Sequence, residues 1–189
     1  MKKILVLFDC FGVIADGVVW KFLEGKTSRE EIDRLTRTIC IDGDLGKITR
    51  DEFIGETART VGMTPDEVEA EYRRLCQLHD DLIPIIEHIR DFADVAILSN
   101  APFGHGEMVV DGFGIRHLFD KIFFSCHYGM AKPDPRFYAL CVDSFGKKYD
   151  EIYMVDDSDK NLVPLKDLGI IPVKYTSPED VKKALQKYF

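Results

Sequence analysis

Five short runs of this chain are apolar at every or nearly every position: residues 4–8, 95–98, 122–124, 152–155 and 171–173. A strand with one wet face alternates polar and apolar residues. A run that does not alternate is buried on both faces, as parallel strands are when helices cover a sheet. Between the later runs lie segments of helix length, residues 135–145, 161–168 and 177 to about 188. The last has Ser177 as N-cap and Pro178 at the first helical position. Strand alternating with helix predicts an α/β fold built on an open parallel sheet with helices on both faces.

From about Asp16 to Asp81 the pattern changes. No strand-like run occurs there. Three helix starts pair a hydroxyl N-cap with an acid three residues on: Ser28 with Glu31, Thr49 with Glu52, and Thr64-Pro65 with Glu67. The stretch predicts a helical insert after the first strand. The expected organisation is a discontinuous core, residues 1–15 and 83–189, with a helical cap at 16–82.

With 189 residues, 46% of them hydrophobic, the chain can bury one substantial core. A net charge of −8 argues against non-specific binding to nucleic acid or to an anionic membrane. It leaves room for a small anionic substrate, since a local site in an acidic protein can be cationic. The five cysteines, Cys10, Cys40, Cys76, Cys126 and Cys141, form no CxxC pair and no zinc spacing, so reduced thiols are expected. The apolar run after Met1-Lys2-Lys3 is broken by Asp9, too soon for a secretory segment. No stretch approaches the ~20 apolar residues of a membrane span. A cytoplasmic location is the expectation; no pattern bears on oligomeric state.

Polar residues follow the strand ends. Asp9 follows the first, Ser99-Asn100 the second and Asp156-Asp157 the fourth, while Lys132 sits in a loop after the third. Each alone is an ordinary turn, cap or solvated loop residue. Together, at successive strand ends, they converge where open α/β sheets bind ligands. Three carboxylates in one crevice repel unless a cation sits among them. Mg²⁺ is the expected ion, and Lys132 and the Ser99 hydroxyl suit phosphate oxygens.

These segments resemble the motifs of the haloacid dehalogenase-like (HAD) superfamily. Phe8-Asp9-Cys10-Phe11-Gly12-Val13-Ile14 is similar to its first motif, and Leu98-Ser99-Asn100 to its second. Gly129 to Pro135 with Phe137-Tyr138 resembles the third, and Val155-Asp156-Asp157-Ser158 with Asn161 the fourth. The resemblance implies a Rossmann-like core with an inserted helical cap. It implies a phosphatase acting on a small phosphorylated metabolite, with Asp9 as a transient aspartyl-phosphate. Asp9, Asp156 and Asp157 would hold Mg²⁺, Ser99, Asn100 and Lys132 would bind the phosphoryl group, and Asn161 would help orient the site. The look is nearest to a capped sugar-phosphate phosphatase branch.

One position departs. Family phosphatases carry a second Asp two residues after the nucleophile as general acid and base; here it is Phe11, which transfers no proton. Other branches with a different residue there include haloacid dehalogenases and phosphonate hydrolases. Haloacid dehalogenase-like or phosphonate chemistry, or non-catalytic ligand binding on the same fold, therefore stand as alternatives. A dehalogenase needs no metal, so retention of both Asp156 and Asp157 favours phosphate chemistry. A phosphonate hydrolase would need a cap lysine able to form a Schiff base, for which Lys21, Lys26 and Lys47 are the candidates by location. Without a general acid, turnover is expected to depend steeply on the leaving group, unless a substrate hydroxyl or His105 moves the proton. Otherwise His105 is expected in a flexible loop, and Asp16 as a helix cap. Trp20 and Phe22 either line the cap's substrate side or pack among helices.

Overall fold

The computed structural model describes residues 2–189. The elements run β1 (Ile4–Phe8), α1 (Val18–Leu23), α2 (Arg29–Leu35), α3 (Ile41–Asp44), α4 (Arg50–Val61), α5 (Pro65–Leu75), α6 (Ile83–Ile89), β2 (Asp94–Ser99), α7 (His105–Val110), β3 (Lys121–Phe124), α8 (Pro135–Ser144), β4 (Glu151–Asp156), α9 (Asp159–Leu162), β5 (Ile171–Lys174) and α10 (Pro178–Ala184). All five apolar runs are strands. They pair in parallel in the order β3-β2-β1-β4-β5. The strand order reverses at β1, with β2 on one side and β4 on the other, and this opens a crevice at the carboxyl ends of the strands.

The uninterrupted apolar runs are explained by two cores. In β1, Ile4, Val6 and Phe8 face one side, with Ile86, Val109 and Val181 from α6, α7 and α10. Leu5 and Leu7 face the other, with Phe137, Tyr138 and Cys141 from α8. Both faces of the central strands are therefore dry.

Residues between β1 and α6 form the helical insert, α1 to α5. The two chain crossings that join it to the sheet pair with each other: the Asp16 amide donates to the Gln77 carbonyl and the His79 amide to the Ile14 carbonyl. Within the insert, Phe22 of α1 stacks edge-on against Tyr72 of α5 at 5.0 Å between ring centres. Thr49 with Glu52 and Thr64 with Glu67 form complete capping boxes. Ser28 accepts from the Glu31 amide, but the Glu31 carboxylate goes to Arg34 instead of returning to the cap. A single π turn, Thr36–Cys40, carries α2 into α3 without a break.

Three expectations need correction. The segment 161–168 is not one helix: α9 ends at Leu162 and Val163–Leu168 is a tighter 3₁₀ stretch. Pro164 there has no amide to give an α-helical bond. The C-terminal helix stops at Ala184. Asp16 caps no helix; Gly17 holds the N-cap position, while the Asp16 carboxylate pairs with Lys21 at 2.8 Å and with His79 at 3.4 Å. The cysteines are unpaired, and all but Cys40 are buried. Among the described residues, no helix is long and apolar enough to cross a membrane.

Phe22 is fully buried, whereas Trp20 on the same helix is 42% exposed. Phe22→Ala should lower stability by about 3–5 kcal/mol, read as a shift of the urea midpoint at unchanged m-value. Trp20→Ala should cost clearly less, because much of its ring is already in water.

Candidate active site

Register alone brings the first two carboxylates together. In the β1–β4 ladder Phe8 lies opposite Val155, so the next residues, Asp9 and Asp156, leave the sheet side by side. The Asp9 amide donates to the Val155 carbonyl at 2.9 Å and holds that register past the end of β1. On the other flank Phe8 lies opposite Ile97, which brings Ser99 to the same edge.

The Lys132 ammonium sits between the two acids, 2.9 Å from Asp9 Oδ2 and 2.6 Å from Asp156 Oδ2. All three side chains are buried. Asn100 fixes the lysine's backbone: its amide donates to the Lys132 carbonyl and its oxygen accepts from the Lys132 amide, at 2.8 and 2.7 Å. Asn161 Nδ2 donates to both oxygens of Asp156 at 3.1 Å, and Asp156 also accepts from the Ser158 amide. Asp156 thus caps the turn into α9 and serves the cluster at once. Ser99 is fully buried, and its hydroxyl donates to the Asn100 carbonyl at 3.5 Å.

Asp157 completes the group from the exposed side. One carboxylate oxygen from each of Asp9, Asp156 and Asp157 lies within 4.8 Å of the others. Gly12 makes room for this: its φ is +84°, and a β-carbon there would fall 2.3 Å from Asp157 Oδ2. Asp9, Ser99, Asn100, Lys132, Asp156 and Asp157 therefore meet in one place, as the strand ends predict.

Burial pushes the Asp9 carboxyl up to about 6, against the pull of Lys132. Burial would lower the Lys132 ammonium, but Asp9 and Asp156 outweigh it and hold the group above its ordinary range. Three carboxylates against one ammonium leave two negative charges without a partner. The donor set is all oxygen, the charge deficit matches a divalent cation, and one side is open. These residues fit Mg²⁺.

A pocket of about 140 Å³ lies between the insert and the strand ends, lined among others by Phe11, Trp20, Asp44, Phe53, Asn100 and His105. Trp20 faces it, while Phe22 packs among helices. His105 is not in a flexible loop. It begins α7, is 4% exposed, and its ring is held by Phe53 and Tyr72 at 5.1 and 5.4 Å. Burial lowers its pKa to about 4. Lys21 pairs with Asp16, Lys47 with Asp42, and Lys26 lies over the Phe22 ring; none of them lines the pocket. The residue that motif reading passes over is Asp44, at the end of α3. Burial, and then the charge of Asp9, push its carboxyl up to about 7. The one signal for it in sequence is the pair of flanking glycines, Gly43 and Gly46, the first of them inside a helix.

Removing the buried ammonium leaves two carboxylates facing each other out of water. Lys132→Met should lower stability by about 3–5 kcal/mol. Added Mg²⁺ should restore part of the loss, measured as denaturant midpoints with and without the ion.

The sequence profile of the haloacid dehalogenase-like hydrolases matches residues 5–169. The chain is 34% identical over 73 residues to bifunctional epoxide hydrolase 2 of Sus scrofa, a stretch covering 39% of this chain and 13% of that protein. It is 36% identical over 73 residues to glyceraldehyde 3-phosphate phosphatase of Methanocaldococcus jannaschii, covering 35% of this chain and 32% of that one. The chain thus matches only a small part of these curated relatives. Among solved structures, a HAD-family enzyme of Bacteroides thetaiotaomicron superposes with a TM-score of 0.82 at 21% identity, covering 98% of this chain and 99% of that one. That enzyme has also been solved with magnesium and with magnesium and inorganic phosphate. L-2-haloacid dehalogenase of Xanthobacter autotrophicus, with chloropropionic acid covalently bound, superposes at 0.67 with 18% identity, covering 97% of this chain and 82% of that one. With the match running through every strand end that carries the clustered residues, this chain belongs to the haloacid dehalogenase-like hydrolase family.

Proposed function

We propose that this protein is a Mg²⁺-dependent phosphatase that acts on a phosphorylated small molecule through an aspartyl-phosphate on Asp9. The observation that carries the reading is the charge balance of the cluster: three converging carboxylates, Asp9, Asp156 and Asp157, with one buried ammonium. A haloacid dehalogenase reaction makes no demand for a divalent cation, whereas phosphoryl transfer does. The Bacteroides neighbour solved with magnesium and phosphate, and the archaeal relative named as a phosphatase, support the same reading.

Asp9 Oδ would attack phosphorus, with its carboxylate kept anionic by Lys132. Lys132 and the Ser99 hydroxyl would face the phosphoryl oxygens and balance charge as the P–O bond lengthens. Asn100 would hold Lys132 in place through its backbone, and Asn161 would keep Asp156 oriented. Bound Mg²⁺ would screen the carboxylates from the incoming phosphate and polarise its oxygens. Residues 16–82 would act as a cap over a core of 1–15 and 83–189, closing water out of the pocket while phosphorus is in transfer. None of the three candidate lysines lines the pocket, which weighs against phosphonate chemistry.

A panel of phosphorylated metabolites and p-nitrophenyl phosphate, assayed with Mg²⁺, should release inorganic phosphate. A chelator should abolish the release and Mg²⁺ or Mn²⁺ restore it. Asp9→Asn should remove activity while leaving the fold intact by circular dichroism. Halide release from 2-chloropropionate, undiminished by chelator, would overturn the reading.

A further inference from the structure

The site has no proton donor where motif reading looks for one, since Phe11 fills that position and His105 is locked by aromatic rings. A carboxyl does reach the pocket from the other side. Asp44 ends α3 and lines the same pocket as Phe11 and Asn100, close enough for the charges of Asp9 and Lys132 to bear on it. Among the described residues its carboxyl makes no ion pair. Its neighbours Asp42 and Glu52, by contrast, are engaged with Lys47 and Thr49.

The placement of Asp44 is built. Helix α3 lies directly on the ends of β2 and β3, and glycines on both sides of Asp44 permit this. A β-carbon on Gly43 would fall 2.8 Å from the Phe53 ring and 3.2 Å from Pro102, in the loop after β2. A β-carbon on Gly46 would fall 2.0 Å from the carbonyl oxygen of Cys126, in the turn after β3, and its φ of +65° also favours glycine. A glycine inside a helix costs about 1 kcal/mol against alanine. Here that cost goes with a close approach of the insert to the loops after β2 and β3, next to the residue that lines the pocket.

We propose that Asp44, carried in by the insert, is the proton-transfer residue of the reaction, in place of the residue at position 11. The proposal rests on the phosphatase reading. In the first half, an Asp9 oxygen bonds to phosphorus and the P–O bond to the substrate breaks, its electron pair staying on the departing oxygen. The Asp44 O–H gives its proton to that oxygen, so a neutral alcohol leaves and Asp44 becomes a carboxylate. In the second half, water attacks phosphorus and Asp44 takes one of its protons. The bond from phosphorus to Asp9 breaks with its electrons returning to Asp9, and inorganic phosphate leaves. Burial suits Asp44 to this cycle, since it holds the carboxyl protonated closer to neutral pH than a solvated aspartate. The leaving-group dependence expected from Phe11 alone would accordingly be shallow.

The test is kcat/KM with Mg²⁺, which reports the first half-reaction, for esters from 2,4-dinitrophenyl phosphate to simple alkyl phosphates. Wild type should vary little with leaving-group basicity. Asp44→Asn should stay within a few-fold of wild type on the dinitrophenyl ester and lose about 10²–10⁴-fold on alkyl esters. It should also accumulate phosphorylated enzyme, seen as a burst, because the second half-reaction lacks its base. Asp44→Ala should show the same slope, with formate restoring part of the alkyl-ester turnover. A loss in Asp44→Asn that is equal across the series, or no loss at all, overturns the role of Asp44 and leaves the phosphatase reading standing. Failure of wild type to release phosphate from any ester, the dinitrophenyl one included, overturns the phosphatase reading itself.

Discussion

Three ionised side chains, taken out of water together, hold the strand ends in their working arrangement. Lys132 comes from the loop after β3, Asp9 follows β1 and Asp156 ends β4, so one ammonium ties that loop to the ends of two strands already paired in the sheet. Desolvating such groups costs several kcal/mol each and is tolerated only when they are matched and bonded. The surroundings show that requirement met. Asn100 grips the lysine's backbone on both sides, and Asn161 reaches both oxygens of Asp156. The match is nevertheless incomplete, because Asp157 adds a third carboxylate at the open edge. That surplus of negative charge suits the site to a divalent cation and the phosphate it would accompany.

The insert and the sheet divide the pocket between them. The sheet contributes groups suited to a phosphoryl group. The insert contributes a wall of Trp20, Phe53 and Asp44, where the rest of a substrate would lie. The seating of α3 on the loops after β2 and β3, through Gly43 and Gly46, sets how near that wall can come. The paired crossings at Asp16–Gln77 and Ile14–His79 keep the insert's base attached to the core.

Much of this was legible without coordinates, for identifiable reasons. A strand dry on both faces cannot hide its composition, so all five strands stand out, with no end displaced by more than one residue. A capping box is a local hydrogen-bond pattern, and Thr49 and Thr64 form theirs as read. The cluster residues follow strand ends, and parallel strands point those ends the same way. Ser28 was half right: its partner Glu31 had a second option in Arg34, which lies one turn further along the helix. Residues 161–168 read as a helix by composition, yet Pro164 tightened the turn. Glycines on both sides of His105 suggest a mobile loop, whereas in the fold His105 itself begins α7 and its imidazole is buried.

By itself the sequence determined the sheet, its parallel sense, the helical character of residues 16–82 and the set of polar residues gathered at one edge. All of these follow from local patterns: apolar runs, caps, and side chains at the ends of strands. Only the tertiary structure decided which residue of the insert meets that edge. Asp44, Trp20 and Phe53 share no spacing that would group them, because the pocket wall is made by α1, α3 and α4 arriving from different directions. Likewise the elevated pKa of Asp44 comes from burial and from a charge thirty-five positions away in the chain, neither of which local pattern contains.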